Sequence, residues 1–254
     1  MSVKIIVTDL DRTLLRSDKT ISEYTTSIFQ RCRDKGIKII FATARPIRSV
    51  KMLNLSLFFD ASIYHNGAVI NNGDINILRF GISPEATKEI LLSVLRVDNS
   101  AKLCVEINDR IFGNFDPSDI WPGVEITITD FLDLPNSPAD KIILPMATIA
   151  ELSSVANVLP NNLYIELSEN SVGMIMHKNA TKGNAINYLS KHFGLSLSDV
   201  AAFGDDYNDL DMIRYCGIGI SVANAIDEVK AVADYICDTN DNDGVAKWLE
   251  ENVL

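Results

Sequence analysis

The sequence predicts an α/β protein, a doubly wound parallel sheet built from both ends of the chain with an α+β module inserted between them. Three observations carry this reading. The β-branched apolar run Val3-Lys4-Ile5-Ile6-Val7 ends in Asp9 and Asp11, as a buried strand entering a ligand-binding crevice does. Strands and helices alternate up to about residue 80 and again from Thr181 onward, the signature of parallel, helix-covered sheets. Between Gly81 and His177 the rhythm changes to helix–strand–strand, twice. The expected organisation is core residues 1–80, an insertion over 81–177, and core residues 178–254.

In order, the first strand gives way to a polar turn over Arg12–Thr20. Ser22 is placed to cap a helix with Tyr24, Ile28 and Cys32 at helical spacing, closed by Gly36. Ile37–Ala42 is a second strand running into Thr43-Ala44-Arg45, and Pro46 suits the N1 position of the next helix. Ala61–Tyr64 is a third strand. The pairs Asn66-Gly67 and Asn72-Gly73 then punctuate hairpins. In the insertion, Ser83-Pro84 opens a helix carrying Ile90, Leu91, Val94 and Leu95, and a hairpin spans Leu103–Asn114. Pro117, Pro122, Pro135 and Pro138 mark a loop with a short strand at Val124–Ile128. A strand at Lys141–Leu144, a helix at Ile149–Val158 and strands at Leu163–Leu167 and Val172–Met176 complete it. The core resumes with a helix over Thr181–Phe193, a strand Val200–Phe203 and a helix Leu210–Tyr215. Two short strands and a closing helix over Gly244–Asn252 follow.

Composition narrows the function. A net charge of -11 and no Lys/Arg cluster argue against a nucleic-acid partner. No apolar stretch is long enough to span a bilayer, and no signal-peptide core precedes Asp9. Cys32, Cys104, Cys216 and Cys237 are too widely spaced for a zinc site and read as buried small hydrophobes in a reducing compartment. The expectation is a cytoplasmic protein, monomeric or a small homo-oligomer, acting on a small molecule.

Polar groups gather just after core strands: Asp9 and Asp11 after the first, Thr43 after the second, and Asp205, Asn208 and Asp209 after a late one. In a strand, residues two apart point the same way, so Asp9 and Asp11 leave together; their repulsion calls for a cation or a shared proton. Lys182 begins a helix whose N-terminal amides favour anions. Carboxylates, a hydroxyl, a lysine and helix N-termini around one crevice suit Mg²⁺ and a phosphate.

The joint pattern Asp9-Leu10-Asp11-x-Thr13, Thr43, Lys182-Gly183 and Gly204-Asp205-Asp206-Tyr207-Asn208-Asp209 resembles the haloacid dehalogenase superfamily over essentially the full chain. Ala42-Thr43-Ala44-Arg45-Pro46, Asn66-Gly67-Ala68 and Thr181-Lys182-Gly183 are similar to motifs of its Cof-type phosphatase branch. The resemblance implies a Rossmann-like core with an inserted type IIB α+β cap, and a Mg²⁺-dependent phosphatase acting on small phosphorylated metabolites, sugar phosphates first. It implies that Asp9 is the nucleophile and Asp11 the proton donor and acceptor. Mg²⁺ would be held by Asp9, the Asp11 carbonyl and Asp205, with Asn208 and Asp209 in support. Thr43, the amide of Ala44, Arg45, Asn66, Lys182 and Asn208 would bind phosphate or substrate. The chain departs from the branch at Arg12 and Ala44, where glycine is usual; Ala44 is compatible if its φ is negative.

Each residue alone has a plainer reading: a solvated turn for Asp9 and Asp11, a helix cap for Thr43, an exposed helix-start lysine for Lys182, turn chemistry for Asn66, a salt bridge for Arg45. Asp206 and Asp211 read as solvated or capping residues, and His65, His177 and His192 have no nucleophile to serve. Rival functions are phosphotransfer to another hydroxyl, as in a phosphomutase, a phospho-accepting signalling domain, and a silent binding protein. A signalling domain would be about half this length, with its acceptor on a middle strand.

Overall fold

The computed structural model describes residues 3–118, 121, 123–145, 159–168 and 172–254. The chain divides into two compact units, Met1–Leu78 with Thr181–Leu254, and Arg79–Ala180. In chain order the elements are β1 (Ile5–Thr8), α1 (Glu23–Asp34), β2 (Lys38–Ala42), α2 (Ile47–Met52), β3 (Ala61–Tyr64), β4 (Val69–Asn72) and β5 (Ile75–Arg79). Then come α3 (Pro84–Val97), β6 (Cys104–Ile107), β7 (Arg110–Gly113), β8 (Thr127–Ile128), β9 (Lys141–Pro145), β10 (Leu163–Ser168) and β11 (Val172–His177). The chain closes with α4 (Lys182–His192), β12 (Val200–Gly204), α5 (Leu210–Tyr215), β13 (Ile218–Val222), α6 (Asp227–Lys230), β14 (Tyr235–Cys237) and α7 (Gly244–Asn252).

The first unit carries an eight-stranded sheet in the order β14-β13-β12-β1-β2-β3-β4-β5. From β14 to β3 every pairing is parallel, and β4 returns antiparallel to β3. Helices cover both faces of such a sheet, so its central strands are apolar throughout; β1, β12 and β13 are buried at every position. From β1 the chain proceeds to β2 and β3 on one side, and later from β12 to β13 and β14 on the other. The order therefore reverses between β1 and β12, where open α/β sheets form a crevice at the carboxyl ends of their strands.

Local chemistry sets the element ends. The Ser22 hydroxyl accepts from Thr25 N, Gly36 (φ 80°) ends the first helical segment, and Ile28 and Cys32 are buried while Tyr24 faces solvent. Pro46 is the N-cap of α2, one position earlier than expected, because its ψ of 161° is still extended. In the β3–β4 hairpin, His65, Asn66 and Gly67 take consecutive positive φ values of 50°, 55° and 108°. A side chain on Gly67 would lie 2.3 Å from Thr181 O, so this glycine lets the hairpin turn approach the start of α4.

The second unit has a six-stranded sheet, β10-β11-β9-β6-β7-β8. Leu91 of α3 joins Val105, Ile107, Ile142, Leu163 and Ile175 in its core. The expected strand at Val124–Ile128 shrinks to Thr127–Ile128, because its residues are mostly exposed. The expected helix at Ile149–Val158 lies outside the described residues. Among the described residues no helix is long and apolar enough to cross a membrane. The four cysteines are buried and unpaired, and burial pushes the Cys104, Cys216 and Cys237 thiols up to about 12.

Candidate active site

The β1/β12 reversal places the first and last acidic motifs side by side. Asp9 N continues the sheet by donating to Phe203 O at 2.9 Å, so Asp9 and Asp205 emerge from neighbouring strand ends. Asp9, Asp205 and Asp209 each offer a carboxylate oxygen within 4.8 Å of the others, and all three are buried. Lys182, at the first position of α4, is 0% exposed, and its ammonium donates to Asp9 Oδ1 at 2.6 Å and to Asp209 Oδ1 at 2.5 Å. Asp209 Oδ2 accepts from the amides of Asp205 and Asp206 at 2.8 and 3.1 Å. Asp209 is thus spent on holding the loop and the lysine. A side chain on Gly204 would meet Asp209 Cβ at 2.5 Å, which explains the glycine before Asp205.

The charges do not balance. Burial pushes Asp9 well above the ordinary carboxylate range, opposed by Lys182 and reinforced by Asp209 and Asp205. Burial and then the Asp209 charge push Asp205 up to about 7. Burial would lower Lys182, but the Asp209 and Asp9 carboxylates outweigh it and hold the ammonium above its ordinary value, so it stays charged. Three crowded carboxylates with one buried cation are a donor set short of positive charge. Hard oxygen ligands of this kind fit Mg²⁺.

Asp11 stands apart from this cluster. Its side chain is a third exposed and is gripped by Arg45, Nε to Oδ2 at 2.5 Å and Nη2 to Oδ1 at 2.7 Å, and by Lys19 Nζ at 2.8 Å. Burial would raise this carboxyl, but the hydrogen bonds from Arg45 and Lys19 win and lower it to about 2. Thr43 is buried at the end of β2, and its hydroxyl accepts from Arg45 N at 3.2 Å. Ala44 avoids positive φ, which satisfies the condition for replacing glycine there. Asn66 is buried in the hairpin turn, its amide donating to Thr43 O at 3.0 Å and its Oδ1 accepting from Asn208 Nδ2 at 2.9 Å.

The candidate site residues Asp9, Asp11, Thr43, Ala44, Arg45, Asn66, Lys182, Asp205, Asn208 and Asp209 all lie in the first unit, just after β1, β2, β3 and β12 and at the start of α4. Two contributors escaped the sequence reading. Thr13, visible as the last residue of the first motif, donates to Asp205 Oδ1 at 3.0 Å. Lys19 lies in a turn with no pattern to mark it. Asp211, read as a capping residue, accepts from Gly183 N at 2.9 Å.

The chain is 28% identical to a 5-amino-6-(5-phospho-D-ribitylamino)uracil phosphatase of Bacillus subtilis, over 97% of this chain and 96% of that one. It matches the structure of a haloacid dehalogenase-like hydrolase from Bacteroides thetaiotaomicron with a TM-score of 0.81, at 28% identity, covering 98% and 99% of the two chains. A subclass IIB sugar phosphatase matches with a TM-score of 0.81, at 26% identity, over 98% of each chain. The chain is an enzyme of the phosphatase type. A family model for haloacid dehalogenase-like hydrolases spans residues 6–249, and the chain belongs to that family.

Proposed function

We propose that the protein is a Mg²⁺-dependent phosphomonoester hydrolase that works through an aspartyl-phosphate on Asp9. The observation that carries this is the buried Asp9–Lys182–Asp209 arrangement facing Asp205 across the β1/β12 reversal. Asp9 and Asp205 would hold Mg²⁺ with the main-chain carbonyl of Asp11. When bound, the ion supplies charge that neutralises the phosphoryl oxygens.

Asp9 is the nucleophile: one of its oxygens is fixed by Lys182, and the other carries no hydrogen bond among the described residues. Its attack forms an O–P bond and breaks the bond from phosphorus to the leaving oxygen, which takes a proton from Asp11. Water then attacks the same phosphorus, Asp11 receives its proton, and Asp9 leaves with inorganic phosphate released. Lys182, the Thr43 hydroxyl and the Ala44 amide stabilise the transferring group, with Asn208 and Asn66 lining the same crevice. Arg45 and Lys19 hold Asp11 ionised, so before it can donate it must be released from them and take up a proton from solvent.

The substrate class is small phosphorylated metabolites, with sugar phosphates first. Support comes from a relative named for a phosphorylated ribityl compound and a neighbour named as a sugar phosphatase. The inserted unit is read as the type IIB cap, with boundaries near 79 and 180. The reading is tested with an aryl phosphate and then a panel of sugar phosphates. Turnover is expected to need Mg²⁺, to stop with chelator and to stop with Asp9→Asn; activity surviving either treatment would overturn it.

A further inference from the structure

Arg12 follows the first acidic pair, and its backbone is left-handed, φ 61°. That conformation is disfavoured for a residue with a Cβ, and a non-glycine outlier of this kind points to a local function. Burial does not repay it, since the side chain is 59% exposed. Instead the residue is tethered to the loop after β13. Its carbonyl accepts from Asn224 Nδ2 at 2.7 Å, its Nη2 donates to Asn224 O at 3.3 Å, and Asn224 Oδ1 accepts from Asn240 N at 3.0 Å. The tether holds the guanidinium at the rim of the acidic cluster, with Nε 3.7 Å from Asp205 Oδ2. That distance is an ion pair and not a hydrogen bond.

The cations of the cluster are divided unequally. Lys182 serves Asp9 and Asp209 directly. Asp205 receives the Thr13 hydroxyl and faces Arg12. We propose that Arg12 is a positioning residue that sets how tightly the site binds its divalent cation. Its fixed charge partly neutralises Asp205 in the metal-free protein and opposes the incoming ion. This rests on reading Asp9 and Asp205 as the Mg²⁺ site. Two effects of opposite sign follow: removing the charge destabilises the metal-free protein and tightens the metal complex. Solvent screens an exposed guanidinium, so the affinity gain is about three- to tenfold and shrinks at high salt.

The test titrates MgCl₂ into the full chain by calorimetry near neutral pH, with thermal unfolding in chelator and in Mg²⁺. Arg12→Ala removes the charge and keeps a Cβ at the left-handed position; Arg12→Lys keeps the charge. Arg12→Ala is expected to bind Mg²⁺ about three- to tenfold tighter, less so in about 0.5 M KCl, with a larger Mg²⁺-induced rise in Tm. Arg12→Lys is expected to stay within about twofold of wild type. Equal or weaker binding by Arg12→Ala overturns the proposal. Asn224→Ala, which cuts the tether and leaves the charge, should shift affinity the same way by less, and an unchanged affinity there also counts against it. If wild type binds no Mg²⁺, or Asp205→Asn binds it as well as wild type, the metal reading itself fails, a result distinct from the failure of Arg12 alone.

Discussion

The Lys182 ammonium lies 2.6 Å from Asp9 Oδ1, across 173 residues of sequence, and has no exposure to solvent. It bonds Asp209 as well, so one buried cation holds the end of β1 and the late acidic loop together. Lys182→Met would strand two buried carboxylates. Removing one partner of a buried ion pair costs about 3–5 kcal/mol, so a marked fall in Tm is expected. Loss of the lysine from the phosphoryl site should also reduce kcat by at least about 100-fold. Wild-type Tm together with wild-type kcat would contradict this placement.

Asp11 and Arg45 make a second testable pair. If Asp11 provides only a backbone oxygen to the metal, as proposed, Asp11→Asn should retain calorimetric Mg²⁺ binding. Turnover should fall about 10²–10⁴-fold, as when a general acid and base is removed. Asp9→Asn, by contrast, should lose turnover and weaken Mg²⁺ binding together. If Asp11→Asn abolished Mg²⁺ binding, its side chain would be a ligand and the division of roles would be wrong.

Asp205 sets a pH dependence of stability in the metal-free protein. Its folded pKa is raised to about 7 from an ordinary 3.8, so between these values the folded state binds more protons than the unfolded one. Stability therefore falls as pH rises through that window, by up to roughly 1.4 kcal/mol per pH unit, and levels off above it. Asp9, also raised, acts in the same direction. In chelator, Tm should be higher near pH 5 than near pH 8. Asp205→Asn should raise the alkaline Tm and flatten the slope, and Mg²⁺ should restore stability to wild type but not to this variant. A chelated wild type whose Tm rises steadily from pH 5 to 8 would count against the crowded-carboxylate account.

Much of this was legible in the sequence because it is local. Apolar β-branched runs specify strands, so Ile5–Thr8, Lys38–Ala42 and Val200–Gly204 could be read directly. Caps and turns at Ser22, Ser83, Gly36 and Asn66-Gly67 depend on one to four neighbouring residues and were equally readable. The polar residues at strand ends marked the site because strand order in a parallel sheet puts such ends on one edge.

Tertiary structure decided what depends on distance and on medium. The sequence could not say that Lys182 would be buried rather than exposed, that Arg45 would grip Asp11, or that Arg12 would be left-handed and face Asp205. Nor could it say that Asp209 would be occupied by the lysine and two amides while burial and the Asp209 charge push Asp205 up to about 7. The residue types and their order determined the fold class and the kind of chemistry. Which carboxylate is neutralised, and by which cation, was decided by packing, because Coulomb energies vary with ångström separations and with the water that folding removes.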